Sequence, residues 1–517
     1  MKNRSIIKNV ASIGNATLIS RVFGMIRDLL LMRYLGAGAV ADAFIAAFRL
    51  PNSLRKIFAE GALSAALIPT LVSTLKQDGK KEASRVMIIM MVLVEGILFL
   101  LCLFICLKAH WVMHFISPGF SEMQAYHAQA LSKILIFFIF FLSSCSLLAG
   151  ALQSIKRFFI PATSQIFLNV FFIAVLLVCL QYNLSVTTLA YGIIINSALL
   201  TLIHVISYLK NGFSFALPTK HSWYTCLKIL GKFLPCIISI GAMEINIFID
   251  QSFISYLPAG ATSLFYYTSN FVRIPLGVFA VSLATVLLPH FSQVSTYAPR
   301  RLGYYLLEAA KIIFWVMIPA SILLSLFSYK IFYTALLSDN FTLEHVAQAQ
   351  KLMTALAIGL FFFSINKIIL NVYYALHATL IPTIITLGTT ILNTALNYIV
   401  IQKYGVIGIA YATSFAALIQ TLLFLVVLHK KYRIPLYLAY FYRFILKASI
   451  QLSCFGVLFF VLYQAAALCI IHLSARWAYL LMDTLFYWFW VGPIFSIIAL
   501  GCYFTRRFFG IKIHFLN

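Results

Sequence analysis

The sequence predicts an all-α integral membrane protein with about fourteen transmembrane helices, and three observations carry that expectation. First, 62% of its 517 residues are hydrophobic and only 10% are charged, with a mean hydropathy of +0.98. A water-soluble fold cannot hide that much apolar surface, whereas a chain that crosses a bilayer repeatedly requires it. Second, the apolar residues come in runs of about 20 or more, the length of a membrane-spanning helix, and not in the short alternating segments of a barrel. Third, 38 Lys+Arg against 13 Asp+Glu give a net charge of +25, and the basic residues gather in alternate connections between apolar runs. That pattern is the orientation signal of cytoplasmic loops, so nucleic acid is not expected as a partner.

Breaking the chain at charged and Pro/Gly-rich connections places helices at 10–35, 38–73, 85–108, 127–153, 157–181, 184–209, 225–257, 262–297, 301–328, 345–376, 379–402, 405–430, 438–471 and 477–505. The basic start, MKNRSIIKNVASIGNATLIS, is too polar for a cleaved signal sequence and is expected to stay in the cytoplasm. Lys76, Lys80, Lys81 and Arg85 then mark the connection after the second helix, Lys156 and Arg157 the one after the fourth, and Lys210 and Lys220 the one after the sixth. Arg300 and Arg301 follow the eighth, Lys430, Lys431 and Arg433 the twelfth, and Arg506, Arg507 and Lys512 the last. The other side keeps Lys108, Lys330, Lys403 and Arg476. An even number of crossings with both termini inside accounts for this asymmetry. The nine cysteines are scattered without a CxxC pair, so neither a disulfide nor a metal site is expected.

Four landmarks recur at a nearly constant offset. Phe48-Arg49-Leu50-Pro51 returns as Val272-Arg273-Ile274-Pro275 after 224 residues, and Leu67-Ile68-Pro69 as Leu287-Leu288-Pro289 after 220. Ile160-Pro161 returns as Ile381-Pro382 after 221, and Ala190-Tyr191 as Ala410-Tyr411 after 220. The offset corresponds to six helices, so the two halves share one orientation, as in transporters whose halves rock around a central site. The expected organisation is a six-helix lobe over 1–212, a second over 213–431, and two extra helices over 432–517.

Between Ser20 and Pro69 five arginines, two aspartates and a glutamate sit within apolar sequence. A charge at mid-bilayer costs about 2.5–3.5 kcal/mol on insertion scales, so such residues face a protein interior or a watery cavity. Gly14, Thr17, Arg21, Gly24 and Asp28 follow helical spacing and form one polar or small-residue stripe, with Arg27 on its flank. The second helix carries Asp42, Arg49, Arg55, Lys56 and Glu60, and Pro51 is expected to kink it near Arg49. Lys56 and Glu60 are spaced to neutralise each other, and Asp28, Asp42 and Glu60 are candidate partners for Arg21, Arg27 and Arg55. Arginines outnumber these acids, which leaves positive charge for an anionic ligand. The guanidinium fork suits phosphate because it can hold two oxygens at once. Arg273 adds a cation from the second half, also just before a proline.

A second constellation combines Asp250 with Asn393, Asn397 and Thr413. Its hard oxygen donors suit a monovalent cation such as sodium, and equally a buried hydrogen-bond network between helices. There is no nucleotide-binding P-loop, so the expected energy source is a coupling cation (sodium or proton) or the membrane potential, with no cofactor.

The segment GAGAVADAF, FRLPNSLRKIFAEGALS and IP resembles the lipid II flippase family (MurJ, formerly MviN) of the multidrug/oligosaccharidyl-lipid/polysaccharide exporter superfamily. The resemblance covers nearly the whole chain; RKIFAEGA is its most specific part. It implies transport of undecaprenyl-pyrophosphate-linked disaccharide-pentapeptide across the bacterial cytoplasmic (inner) membrane by alternating access. The implied substrate-binding residues are Arg21, Arg27, Arg55 and Arg273, with Asp28, Asp42, Glu60, Arg49 and Asn270 as charge partners or gate. It also implies the sodium site at Asp250, Asn393, Asn397 and Thr413, where Asn397 replaces an acidic ligand of the family. Relatives often have arginine at the position of Asn270 and an acid at that of Arg273, so the cation here is displaced by one turn. The two extra helices would form a groove for the lipid tail, and cell-wall synthesis machinery is an implied partner. Competing readings are export of another polyprenyl-linked oligosaccharide or of an amphipathic drug. Cationic drugs are disfavoured by the arginines. A membrane-embedded glycosyltransferase is disfavoured by the lack of a metal-binding carboxylate cluster or a large soluble loop in the sequence.

Overall fold

The computed structural model describes residues 20–58 and 62–516. Gly14, Thr17 and Glu60 lie outside the described residues. The described chain is helical, and it divides into two compact units, Met1–Ser263 and Leu264–Asn517.

In the first unit, α1 covers 20–35. It is followed by α2 (Ala39–Phe58), α3 (Ala62–Gln77), α4 (Gly79–Leu107), the short α5 (Ala109–Ile116), α6 (Glu122–Leu135), α7 (Phe137–Ser154), α8 (Phe159–Gln181), α9 (Val186–Lys210) and α10 (Lys220–Ile254). The helix expected at 127–153 begins earlier, at Glu122, because Ser121 and Gln124 form a capping box that satisfies the first turn. It is also two helices, α6 and α7, joined at Ile136. The core is built where α3, α4, α7 and α10 meet: Leu67, Leu71, Met90, Leu98, Leu148 and Phe233 are all buried there. A second cluster pairs the small residues Ala43 and Ala46 of α2 with Met113, Ile116 and Ala128. Small side chains allow the close helix approach that apolar solvent does not itself drive. α10 packs against α2, α3, α4 and α5 of this unit.

α11 (Ala261–Pro275) leads into the second unit. It passes into a π-helical segment, Leu276–Val281, before α12 (Ser282–Tyr297). Pro275 lacks the N–H that would continue the α-ladder, and a π-segment directly after it re-registers the helix. The matching Pro51 lies inside continuous α2, so the two halves treat the repeated proline differently. α13 (Leu302–Leu336) and α14 (Leu343–Ala375) are followed by a 51-residue stretch, α15 (Leu380–Lys430). At 1.5 Å per residue this is about 76 Å, more than two bilayer thicknesses of ~30 Å. Its backbone breaks at Gly405, with φ 54° and ψ −139°, a conformation open to glycine and strained for other residues. The expected helices 379–402 and 405–430 meet at that break.

α16 (Leu438–Ile471), α17 (Ala475–Asp483) and α18 (Tyr487–Thr505) complete the unit. Gln451, fully buried, ties two of them to α13. It accepts from Trp315 Nε1 at 3.0 Å and donates to the Cys502 carbonyl at 2.7 Å and Thr505 Oγ1 at 3.1 Å. In a bilayer such side-chain bonds have no competing water. The outward faces of α16 and α18 are apolar, with Val457, Phe460, Ile497 and Phe504 all exposed, as lipid contact requires.

Among the described residues, ten helical stretches are long and apolar enough to cross a membrane. The protein is therefore a multi-pass membrane protein. The ten do not include α1, α2, α3 or α10, and they count Leu380–Lys430 once.

Gly303 gives a direct test of the packing. A Cβ there would collide with the Pro435 carbonyl oxygen, a backbone atom that cannot swing aside. Gly303→Ala is expected to destabilise the second unit by about 1–3 kcal/mol, the usual range for overpacking. Thermal unfolding in detergent, followed by exposure of a core thiol, would measure it.

Candidate functional site

The intramembrane charges of the first unit are held by three different arrangements. On α1, Arg27 lies beside Asp28: Nε and Nη2 both donate to Asp28 Oδ1, at 2.9 and 2.6 Å. Nη1 donates to Asn169 Oδ1 of α8 at 2.8 Å, and the guanidinium lies 5.6 Å from the Phe172 ring centroid. Asn169 in turn donates to the Ser20 carbonyl at 3.1 Å. The guanidinium is therefore held in a fixed plane by α1 and α8 together, with its side chain about a quarter exposed (26%). Gly24 lies on the same side, but a Cβ there would sit 3.5 Å from Asn169 Nδ2, an ordinary contact, so steric need does not explain the glycine. Arg21, two turns before Asp28, is exposed.

On α2, Arg49, Ser53 and Lys56 share one face, spaced by four and three residues, and that face meets α10. Arg49 Nη1 donates to the Ile247 carbonyl at 3.2 Å. Ser53 Oγ donates to Glu244 Oε2 at 2.8 Å, and Lys56 Nζ approaches both Glu244 oxygens at 2.9 and 3.0 Å. Arg55, rotated off this face, donates from Nε to Asn52 Oδ1 of its own helix at 3.1 Å. Lys56 was expected to pair with Glu60; the carboxylate it meets among the described residues is Glu244. Glu244 stands six residues from Asp250 and had no evident role in the sequence. Neither it nor Asn169 carries a local signal, because each meets its partner across more than 140 residues of chain.

Asp42 was a candidate partner for the arginines. It is buried (1% exposed) and accepts three N–H groups: Gln124 Nε2 at 3.1 Å, the Gly260 backbone at 2.7 Å and the Ser263 backbone at 2.8 Å. The last two belong to the start of α11, where unbonded N–H groups and the helix dipole favour an anion. Asp42 thus fastens the entry of α11 to α2 and α6.

In the second unit, Arg273 is exposed on α11, and its Nη1 lies 3.4 Å from Asn270 Oδ1 one turn earlier. The residues proposed to hold a cation are divided. Asp250 is buried in the first unit. Asn393 and Asn397 are buried one turn apart on α15. Thr413, past the Gly405 break, donates its hydroxyl to the Ile409 carbonyl at 2.9 Å. That bond leaves its oxygen lone pairs able to accept. Sequence reading also passed over Asn366 of α14, which donates to the Ala417 carbonyl and Gln420 Oε1 and accepts from Thr421 Oγ1. This network locks α14 to the second half of α15.

The family model for Lipid II flippase MurJ matches residues 31–489. The chain is 29% identical over 442 residues to the "Probable lipid II flippase MurJ" of Buchnera aphidicola subsp. Schizaphis graminum, covering 83% of this chain and 84% of that protein. It is 30% identical to the protein of the same description from Rhizobium meliloti, covering 81% and 80%. Among solved structures it is similar to Lipid II flippase MurJ in an inward closed conformation, with a TM-score of 0.75 and 25% identity over 96% of this chain and 99% of that one. An inward-facing multidrug resistance MATE family transporter of the MOP superfamily matches with a TM-score of 0.67 at 13% identity, over 79% of this chain and 93% of that one, a likeness of fold alone.

The α2–α10 contact predicts a stability effect distinct from any effect on transport. Glu244→Ala removes the acceptor of Ser53 and Lys56 together. It is expected to lower stability by about 1.5–3 kcal/mol, the range for a hydrogen bond to a charged group. Glu244→Gln, which keeps one acceptor oxygen, should lose less. Denaturation of the purified proteins at matched detergent concentration checks the order.

Proposed function

The chain belongs to the lipid II flippase MurJ family, and we propose from that membership how it works: it carries undecaprenyl-pyrophosphate-linked disaccharide-pentapeptide between the leaflets of the bacterial cytoplasmic membrane by alternating access. It is a transporter and not an enzyme. The observation that carries the reading is the family match over 31–489, which spans both units. The alternation follows the expectation of two lobes related by a parallel repeat, with both termini in the cytoplasm.

The substrate's pyrophosphate is assigned to Arg21, Arg27, Arg55 and Arg273. Arg27 is the anchor of this set. Its plane is fixed by Asp28 and Asn169, so a phosphate would meet an already oriented cation and less side-chain freedom would be lost on binding. Arg273 is the cation of the second half, and Asn270 orients it. Arg49, Asp42 and Glu60 act as gate or partner residues. Asp250, Asn393, Asn397 and Thr413 are assigned to a coupling cation. The apolar faces of α16 and α18 suit an isoprenoid tail, and enzymes that make or polymerise the cell-wall precursor are the expected partners. Export of a cationic drug is disfavoured by the same arginines, which would repel it.

Reconstituted vesicles containing fluorescent lipid II provide the test, read by protection of the dye from an external quencher. Arg27→Ala and Arg273→Ala should each slow transport at least about tenfold, equivalent to ~1.4 kcal/mol of lost stabilisation. Arg273→Lys should recover only part, because an ammonium lacks the two-pronged fork. Full activity of Arg273→Ala at matched protein would remove it from the substrate site. Asp250→Asn should weaken any dependence on external sodium; identical sodium profiles in both proteins would assign the four residues to helix packing.

A further inference from the structure

α4 is strongly apolar, yet Glu95 stands near its middle, and no role considered above uses it. It lies on the flank of a lipid-facing strip, between the exposed Val92 and Phe99. The helix on its other side, α7, contains no Asp, Glu, Lys, Arg or His, and the titratable groups near Glu95 are the thiols of Cys145 on α7 and Cys102 on α4 itself. Among the described residues Glu95 makes no ion pair. Several cations described on neighbouring helices are engaged elsewhere or stand at helix ends. Arg85 of α4 itself pairs with Glu82, Lys228 of α10 covers the Tyr224 ring, and His204 of α9 meets Ser164 and the Leu200 carbonyl. Lys76 ends α3 and Lys133 falls in the last turn of α6.

The surroundings of Glu95 favour its neutral form. Ser143 Oγ lies 2.6 Å from Glu95 Oε1 and 3.1 Å from the Phe140 carbonyl, but a hydroxyl has a single hydrogen. An ionised Glu95 would take that hydrogen and leave the Phe140 carbonyl to its other donor, Ser144 Oγ at 3.2 Å. The other carboxylate oxygen, Oε2, is buried and accepts no hydrogen bond. A neutral acid avoids a buried, unpaired anionic oxygen there. Its O–H on Oε1 donates to Ser143 Oγ, Ser143 donates to the Phe140 carbonyl, and Oε2 is left as a carbonyl oxygen. An unpaired carbonyl is tolerated where an unpaired anionic oxygen is not.

We propose that Glu95 and Ser143 form a proton-binding site inside the first unit, and that exchange of this proton with water accompanies transport. The second clause rests on the flippase reading; the first does not. Once the proton leaves, the carboxylate has only serine hydroxyls, Ser143 and the adjacent Ser144, and no cation to hold it, so the ionised form requires a conformation in which this face of α4 meets water. Protonation and conformation are thereby linked.

Two measurements on the full chain in phosphatidylcholine vesicles test this. Infrared difference spectra between the wild type and Glu95→Gln should contain the carbonyl stretch of a carboxylic acid at neutral pH. The band should shift in Ser143→Ala, where the acceptor of its O–H is gone. Carboxylate bands in place of the carbonyl stretch would overturn the proton site. In the fluorescent lipid II assay, Glu95→Gln should lose the wild type's dependence of rate on external pH. An unchanged pH profile would overturn the coupling. Absence of lipid II movement in the wild type would instead count against the flippase reading, with the infrared result still deciding the site.

Discussion

Everything in this protein is constrained by the absence of water in the layer it occupies. A charge there needs a partner supplied by the protein itself, because desolvation is not offset from outside. The first unit meets this demand in three ways. Arg27 is neutralised by its sequence neighbour and steadied from α8, Glu244 receives Ser53 and Lys56 from α2, and Asp42 receives the N–H groups that open α11. Each solution also joins helices that are distant in sequence. Charge neutralisation and helix attachment are therefore the same interactions.

This double use bears on how a membrane protein can hold cations among its helices and still fold. An arginine held in one plane by a carboxylate and an amide keeps its fork geometry, and the partner lowers the cost of burying it. A carboxylate at a helix start, like Asp42, costs less to bury than an isolated one because oriented N–H groups replace its lost hydration. The second unit relies more on neutral polar side chains. Gln451 binds α16 to α13 and α18, and Asn366 binds α14 to α15. Such bonds fix helix positions without placing a charge in the bilayer.

The repeated Arg-x-Pro landmark illustrates how like sequences settle into unlike local structures. Pro51 is carried inside α2, whose neighbouring face is held by Glu244 and the Ile247 carbonyl. Pro275 leads into a π-segment, with Arg273 exposed just before it. A proline removes one backbone bond in both places; the surrounding contacts decide whether the helix absorbs the loss or shifts register.

The sequence by itself determined the class of protein, most helix positions and the family, because hydropathy, breaks at Pro and Gly, and the motif at Ser20–Pro69 are all local along the chain. The break at Gly405 was legible as a connection, and the Arg27–Asp28 neighbours as a pair. Only the tertiary structure decided which helix faces meet. Lys56 faces Glu244, Arg27 reaches Asn169, and Asp42 turns to the backbone of 260–263 in place of an arginine. Helical periodicity gives the direction of a side chain around its own axis, but not the neighbour that direction meets. That neighbour is set by packing among helices far apart in sequence, and in a bilayer it decides with what each charge is paired.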